Sequence, residues 1–292
     1  MKRRRFCSPV LFVLALLLLT AGSREQDKAG HSPKGAPTFA EGAGTRIHYE
    51  DGGSGPGVPV IFVHGLAGDL RMWRAQLDHV RHTRRAVALD LRGHGLSGCA
   101  ANGDYSIPAL ASDVLAVADT LNIKRFVLVG HSMGGAVVLA VSAAQPDRVA
   151  GILFADPAGD VTRLPRDRLA SMLGRMEPPG YMAFMKGWFG VNLENAKSAT
   201  RALVLQDLER TRPEVVRAAY AGLAAYGPVP ALQAFKGPML TVVLPGSDRP
   251  SSYQNLVPNL PAVKVKDLSH WLMMDDPALF DGLLDGLLRK VA

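Results

Sequence analysis

Cysteine is almost missing from this sequence: Cys7 and Cys99 are the only two among 292 residues. Cys7 lies in a stretch that reads as a removable leader, so the mature chain is expected to keep one thiol and no internal disulfide. Paired cysteines and the His-Glu-x-x-His pattern are absent as well. That removes the usual zinc frameworks, and no metal or other cofactor is expected. Beyond residue 30 there is no stripe of Lys and Arg with interleaved aromatics. The formal net charge of +7 therefore does not describe a basic face. Lys2, Arg3, Arg4 and Arg5 supply more than half of it, and no acidic residue precedes Glu25. Such a distribution argues against a nucleic-acid partner. Outside the leader there is no internal repeat and no low-complexity tract.

The first residues have the parts of an export signal. "MKRRRF" is positive, "VLFVLALLLL" (10–19) is apolar but short for a membrane span, and "TAGS" (20–23) offers small residues for cleavage after Gly22 or Ser23. Residues 1–22 are thus expected to be a signal peptide that sends the protein to the periplasm or out of the cell. Membrane contact is expected only if that leader stays uncleaved. No Cys stands at the cleavage point, so a lipid anchor is not indicated. Residues 23–38, polar and rich in Pro and Gly, read as a flexible linker.

With 48% hydrophobic residues, the remainder is long enough for one large domain. Strand and helix patterns alternate along it. "VPVIFVHG" (58–65) is a continuous β-branched and apolar run, as in a strand covered on both faces, "AVALDLRGHG" (86–95) reads as strand then turn, and "RFVLVG" (125–130) and "VAGILFAD" (149–156) read as further strands. Residues 106–123 place Leu110, Val114, Val117 and Leu121 at helical spacing. This order predicts an α/β fold, a mostly parallel doubly wound sheet with helices on both faces. The alternation stops at 157–235, which contains helical pieces and no clear buried strand, and resumes with "MLTVVLPG" (239–246). The expected division is a core of 39–156 and 236–292 with a helical insertion at 157–235.

Gly130-His131-Ser132-Met133-Gly134 fits G-x-S-x-G between a strand and a helix. A sharp strand-to-helix turn at Ser132 would press neighbouring backbones together, so Cβ atoms at 130 and 134 are expected to clash. The turn would expose the Ser132 hydroxyl beside a helix N-terminus. A phosphate loop would need a Lys after the glycines, where Ala136 and Val137 stand instead. A serine hydroxyl needs a base within hydrogen-bond reach, and the base needs an orienting carboxylate.

The chain resembles the α/β-hydrolase superfamily over roughly residues 45–290, through "FVHG" (62–65), "DLRGHGLS" (90–97), "GHSMGG" (130–135), "PGSD" (245–248) and "SHW" (269–271). The resemblance implies that 157–235 is the family's cap. It makes Ser132 the nucleophile and His270 the base. Asp248, in the loop after "MLTVVLP", is the preferred acid, with Asp156 at the end of the preceding strand as the alternative. The oxyanion hole would use the backbone N–H groups of Leu66 and Met133, with His64 and Gly65 supporting that loop. His131 and His94 read as structural. The pair Asp275-Asp276, ahead of Pro277, reads as the negative charge of a helix N-terminus.

The resemblance implies an exported hydrolase acting on a small, apolar acyl substrate, most simply a carboxylic ester. Capped relatives with the same triad hydrolyse C–C bonds or make peracids, and a non-catalytic ligand-binding protein of this fold is a further alternative. Tyr181, Met182, Phe184, Met185, Trp188 and Phe189 would either roof the pocket or pack the cap onto the core.

Overall fold

Strands without polar alternation need cover on both faces, and helices supply it here. A computed structural model describes residues 37–42 and 44–291; the expected leader at 1–22 and the linker from 23 to 36 lie outside the described residues. The strands are β1 (Thr38–Gly42), β2 (Thr45–Gly52), β3 (Val60–Val63), β4 (Ala86–Leu89), β5 (Phe126–His131), β6 (Val149–Ala155), β7 (Met239–Val243) and β8 (Ala262–Lys264). They form one sheet in the order β1-β2-β4-β3-β5-β6-β7-β8. The β1–β2 and β2–β4 pairs are antiparallel, and every pair from β4 to β8 is parallel. Every residue of β3, β4, β5 and β6 is buried. The apolar runs in the sequence thus become the centre of the sheet.

Four helices pack on this sheet: α1 (Arg74–Arg81), α2 (Ile107–Thr120), α3 (Met133–Ala144) and, after a helical insertion, α11 (Pro277–Leu288). Between β6 and β7 the chain makes α4 (Arg166–Arg175), α5 (Tyr181–Asn192), α6 (Ser198–Arg210), α7 (Pro213–Ala224) and α8 (Val229–Ala234). Two short helices, α9 (Tyr253–Leu256) and α10 (Leu272–Asp275), flank β8. α2 starts where Ser106 accepts from the Ala109 N–H, with Pro108 in its first turn. α3 is buried along most of its length, so it lacks a polar face. Among the described residues no helix is long and apolar enough to cross a membrane.

Polar side chains lock the turns at the C-terminal end of the sheet. Asp90, just past β4, accepts from the backbone N–H groups of Leu70 and Leu96 and from His48 Nδ1, each at 2.8 Å. Burial opposes its ionisation, but His48 and those two N–H groups outweigh it and hold the carboxyl below its usual range. Arg92 makes two 2.7 Å bonds to Asp113 of α2, in a fork that burial makes costly to break. The loops that carry the site thus rest on a rigid rim.

Candidate active site

Ser132 sits at the β5-to-α3 turn with φ 51° and ψ −116°, a conformation that side chains rarely adopt. Its neighbours show why glycine is needed there. A Cβ on Gly130 would lie 2.5 Å from the Gly134 carbonyl oxygen. One on Gly134 would lie 2.5 Å from the Val63 carbonyl oxygen and 2.6 Å from that of His64. The turn is therefore pressed against the end of β3. The loop after β3 lies alongside, since a Cβ on Gly65 would be 3.0 Å from Ser132 Cβ. In that loop Ala67 also has a positive φ, 56°. Met133 opens α3, where the first N–H groups of a helix have no partner within it. Leu66 follows Gly65 in the loop that lies alongside Ser132.

His64 is completely buried. Its Nδ1 donates to the Gly65 carbonyl at 2.7 Å, and its Nε2 accepts from the Leu91 N–H at 2.9 Å. Burial lowers its pKa from 6.5. Both nitrogens are thus used to hold the 64–68 loop. His131 donates from Nε2 to the His270 carbonyl at 2.9 Å. Burial and the nearby His270 keep it well below its ordinary pKa. His94, also buried, is pushed down to about 3.

Of the two acid candidates, the structure brings the alternative, Asp156, to His270 and not the preferred Asp248. His270 Nδ1 lies 2.6 Å from Asp156 Oδ2, and Asp248 is turned elsewhere. Asp156 follows β6, is fully buried and has φ 41°. Its Oδ2 also accepts from Ser247 Oγ at 2.9 Å, and its Oδ1 from the Leu244 N–H at 3.3 Å. The loop after β7 therefore does reach the site, but it presents Ser247. The next residue, Asp248, faces Lys264 Nζ at 2.6 Å and accepts from Gln254 and Asn255. Lys264, Gln254 and Asn255 bring its pKa down to about 2. With its Nδ1–H donated to Asp156, His270 keeps Nε2 as an acceptor. No group of three or more His, Cys, Asp or Glu side chains suited to a metal occurs among the described residues.

A narrow crevice, without room for a water molecule, lies between the helical insertion and the core. Leu66, Met72, Phe189, Val204, Asp207 and Trp271 are among its walls. Of the aromatic and Met-rich set on α5, Phe189 reaches it and stands 5.5 Å from the Trp271 ring. Tyr181 and Met185 are buried, and Trp188 packs between Phe184 and Tyr220 of α7. That set thus mainly holds α5 in place, with one member left for the crevice.

Two acidic groups have roles that the sequence did not show, one of them unmarked there and the other read as helix-terminal charge. Asp207, on α6, pairs with Arg71, whose guanidinium also grips Asp69 at 2.8 Å and Gln206 at 3.2 Å. Burial, then the nearby Asp69, pushes Asp207 up from 3.8 to about 7, against the pull of Arg71. A raised carboxyl pKa means that the folded chain holds the proton more tightly than the unfolded chain. Its stabilising share is whole below the ordinary carboxyl range and is lost as pH rises to about 7. Asp207→Asn is therefore expected to flatten the fall in stability across that window, as read from urea midpoints at several pH values. The second group is Asp275. Asp276 does cap α11, accepting from the Leu279 N–H at 3.1 Å, but Asp275 turns inward to the loop before it.

Comparison with known proteins agrees with this architecture. The sequence model described as alpha/beta hydrolase fold matches residues 58–226. A dihydrolipoyllysine-residue acetyltransferase component of an acetoin cleaving system from Pseudomonas putida is 42% identical over 125 residues, which are 42% of this chain and 33% of that protein. A 2-hydroxymuconate semialdehyde hydrolase from Pseudomonas sp. (strain CF600) is 30% identical over 135 residues, 44% of this chain and 47% of that protein. The chain thus spans only a third to a half of the length of these relatives. A thermophilic esterase from Thermogutta terrifontis shares the fold with a TM-score of 0.75 and 24% identity, over 88% of this chain and 99% of that one.

Proposed function

The chain belongs to the alpha/beta hydrolase fold family, and on that premise we propose that it is a serine hydrolase that cleaves carboxylic esters through an acyl-enzyme. The observation that carries this reading is the 2.6 Å contact of His270 Nδ1 with Asp156, beside the strained serine turn. Ser132 Oγ attacks the acyl carbonyl. His270 Nε2 takes its proton and returns it to the departing alcohol oxygen. Asp156 fixes the tautomer and stabilises the imidazolium. The N–H groups of Leu66 and Met133 hold the oxyanion, each such donor contributing about 10²–10³ in rate. Water then attacks the acyl carbon as His270 takes its proton, the bond to Ser132 Oγ breaks, His270 returns the proton to Oγ, and the acid leaves.

The substrate in this reading is a small, apolar acyl compound. The leader at 1–22 would carry the enzyme out of the cytoplasm. The test is a fluorophosphonate probe at neutral pH together with aryl esters of increasing acyl length. Wild-type protein is expected to be labelled at Ser132 and to turn the esters over, and Ser132→Ala to do neither. An unlabelled wild-type Ser132 would overturn the reading.

Hydrolysis of a C–C bond is the second reading, favoured by the likeness to the Pseudomonas semialdehyde hydrolase. It uses the same three side chains. Product from a ring-fission dienoate, measured beside the esters, separates the two.

A further inference from the structure

Resting on the serine-hydrolase reading, we propose that Asp275 is a positioning residue that seats the His270 loop on the cap. The residue is 1% exposed, and its two oxygens accept three hydrogen bonds. Oδ2 accepts from the Ser269 N–H at 2.9 Å and from the Ser269 hydroxyl at 2.5 Å. Oδ1 accepts from the Lys197 N–H at 3.0 Å, in the turn between α5 and α6. The Ser269 oxygen in turn accepts from the Trp271 N–H at 3.2 Å. The residues on both sides of His270 are therefore tied to one buried carboxylate.

The backbone of His270 itself is held from two sides. Its N–H donates to the Asn192 carbonyl at the end of α5, at 3.0 Å, and its carbonyl accepts from His131 at 2.9 Å. Asn192 and Lys197 thus grip the loop from the same cap turn, one through a carbonyl and one through an N–H that needs Asp275 as its acceptor. The helices that this turn joins also carry Phe189, Val204 and Asp207 into the crevice. The base is consequently assembled by cap and core together, and Asp275 is the side chain that joins them.

A carboxylate suits this place because it offers two acceptors and no donor. In Asp275→Asn the amide nitrogen must face either the Lys197 N–H or Ser269. One strut is lost and a donor meets a donor, whichever way the amide turns. Asp156 and Ser132 remain where they are, since neither touches Asp275. A misplaced base slows chemistry and leaves apolar ground-state binding largely alone.

The experiment compares wild type, Asp275→Asn, Asp275→Glu and Ser269→Ala. It measures kcat and KM on one aryl ester and the rate at which a fluorophosphonate labels Ser132. Each is read below the variant's own melting temperature. Asp275→Asn is expected to lose about 10²-fold in kcat and in labelling rate, with KM little changed. Asp275→Glu, which keeps two acceptor oxygens, should recover part of that loss. Ser269→Ala, which removes the hydroxyl strut and leaves the charge, should lose less, and it decides the matter if Asp275→Asn does not fold. A drop in melting temperature with unchanged kcat and labelling in the folded variants would overturn the proposal and leave Asp275 a purely structural residue. An unlabelled wild type would instead overturn the serine-hydrolase reading itself.

Discussion

Asp156→Asn is expected to keep its fold and lose about 10⁴-fold in kcat, whereas Asp248→Asn should turn over close to wild type. The two variants change the same atoms by the same amount, so their difference isolates position. Asp156 Oδ2 meets His270 Nδ1 at 2.6 Å. An amide there presents a donor to that nitrogen or a weaker, neutral acceptor, and either choice disturbs the imidazole tautomer. The imidazolium that forms during attack then has no counter-charge in a site from which water is largely excluded. Asp248 serves Lys264, Gln254 and Asn255 on the far side of the same loop. Its loss should show as a small change in thermal stability, because a half-exposed ion pair contributes little. Steady-state kinetics on an aryl ester, with circular dichroism as a check on folding, provides the measurement. Equal losses in both variants would remove Asp156 from its proposed role.

The second large effect concerns the serine turn. Gly134→Ala is expected to cost about 3 kcal/mol of stability, as an extra methyl forced into a packed interior does at the upper end of its usual range. The new Cβ would lie 2.5 Å from the Val63 carbonyl oxygen and 2.6 Å from that of His64. Both are backbone atoms at the end of a buried central strand, so neither can rotate away. The strand end has to shift, and His64, Gly65 and Leu66 shift with it. Activity should fall further than stability alone implies, since the 64–66 loop that lies alongside Ser132 moves with the strand end. Gly187→Ala on α5 is the contrast, because nothing lies within 4 Å of a Cβ there. It should leave stability unchanged or raise it slightly, the helix interior preferring Ala to Gly. Urea midpoints of the two variants measure the difference.

The central sheet was legible in the sequence because its signal is local. "VIFV" and "VAGILFA" are apolar throughout, "FVLVGH" is so up to its last residue, and only a strand covered on both faces makes use of such runs. The serine turn was legible for a similar reason, since a short glycine pattern between strand and helix has few other uses. The acid was not, because Asp156 and Asp248 each follow a strand that points at the site. What separates them is the 3-10 turn at Pro245–Ser247, which brings Ser247 to Asp156 and swings the next residue outward to Lys264. That rotation depends on a partner sixteen positions further along the chain, which no local pattern reports. Asp275 escaped notice for the opposite reason. A helix-capping role was available for the pair, and Asp276 alone fulfils it. Asp207 had no pattern at all, because its meaning comes from Arg71, brought to it by the docking of α6 on the core.

The register of β5 with β6 bears on how the site can move. His131 stands opposite Ala155, so Ser132 and Asp156 leave adjacent strands at the same height, joined by a 3.1 Å bond from the Ser132 N–H to the Ala155 carbonyl. Neighbouring strands keep a spacing of about 4.8 Å that side-chain changes scarcely alter. Ser132 and Asp156 therefore belong to one rigid plate and share no adjustable coordinate. His270 arrives on a separate loop hung between His131 and the Asn192–Lys197 turn. All the mechanical freedom of the three residues is thus concentrated in one of them, and the cap holds the other end of it.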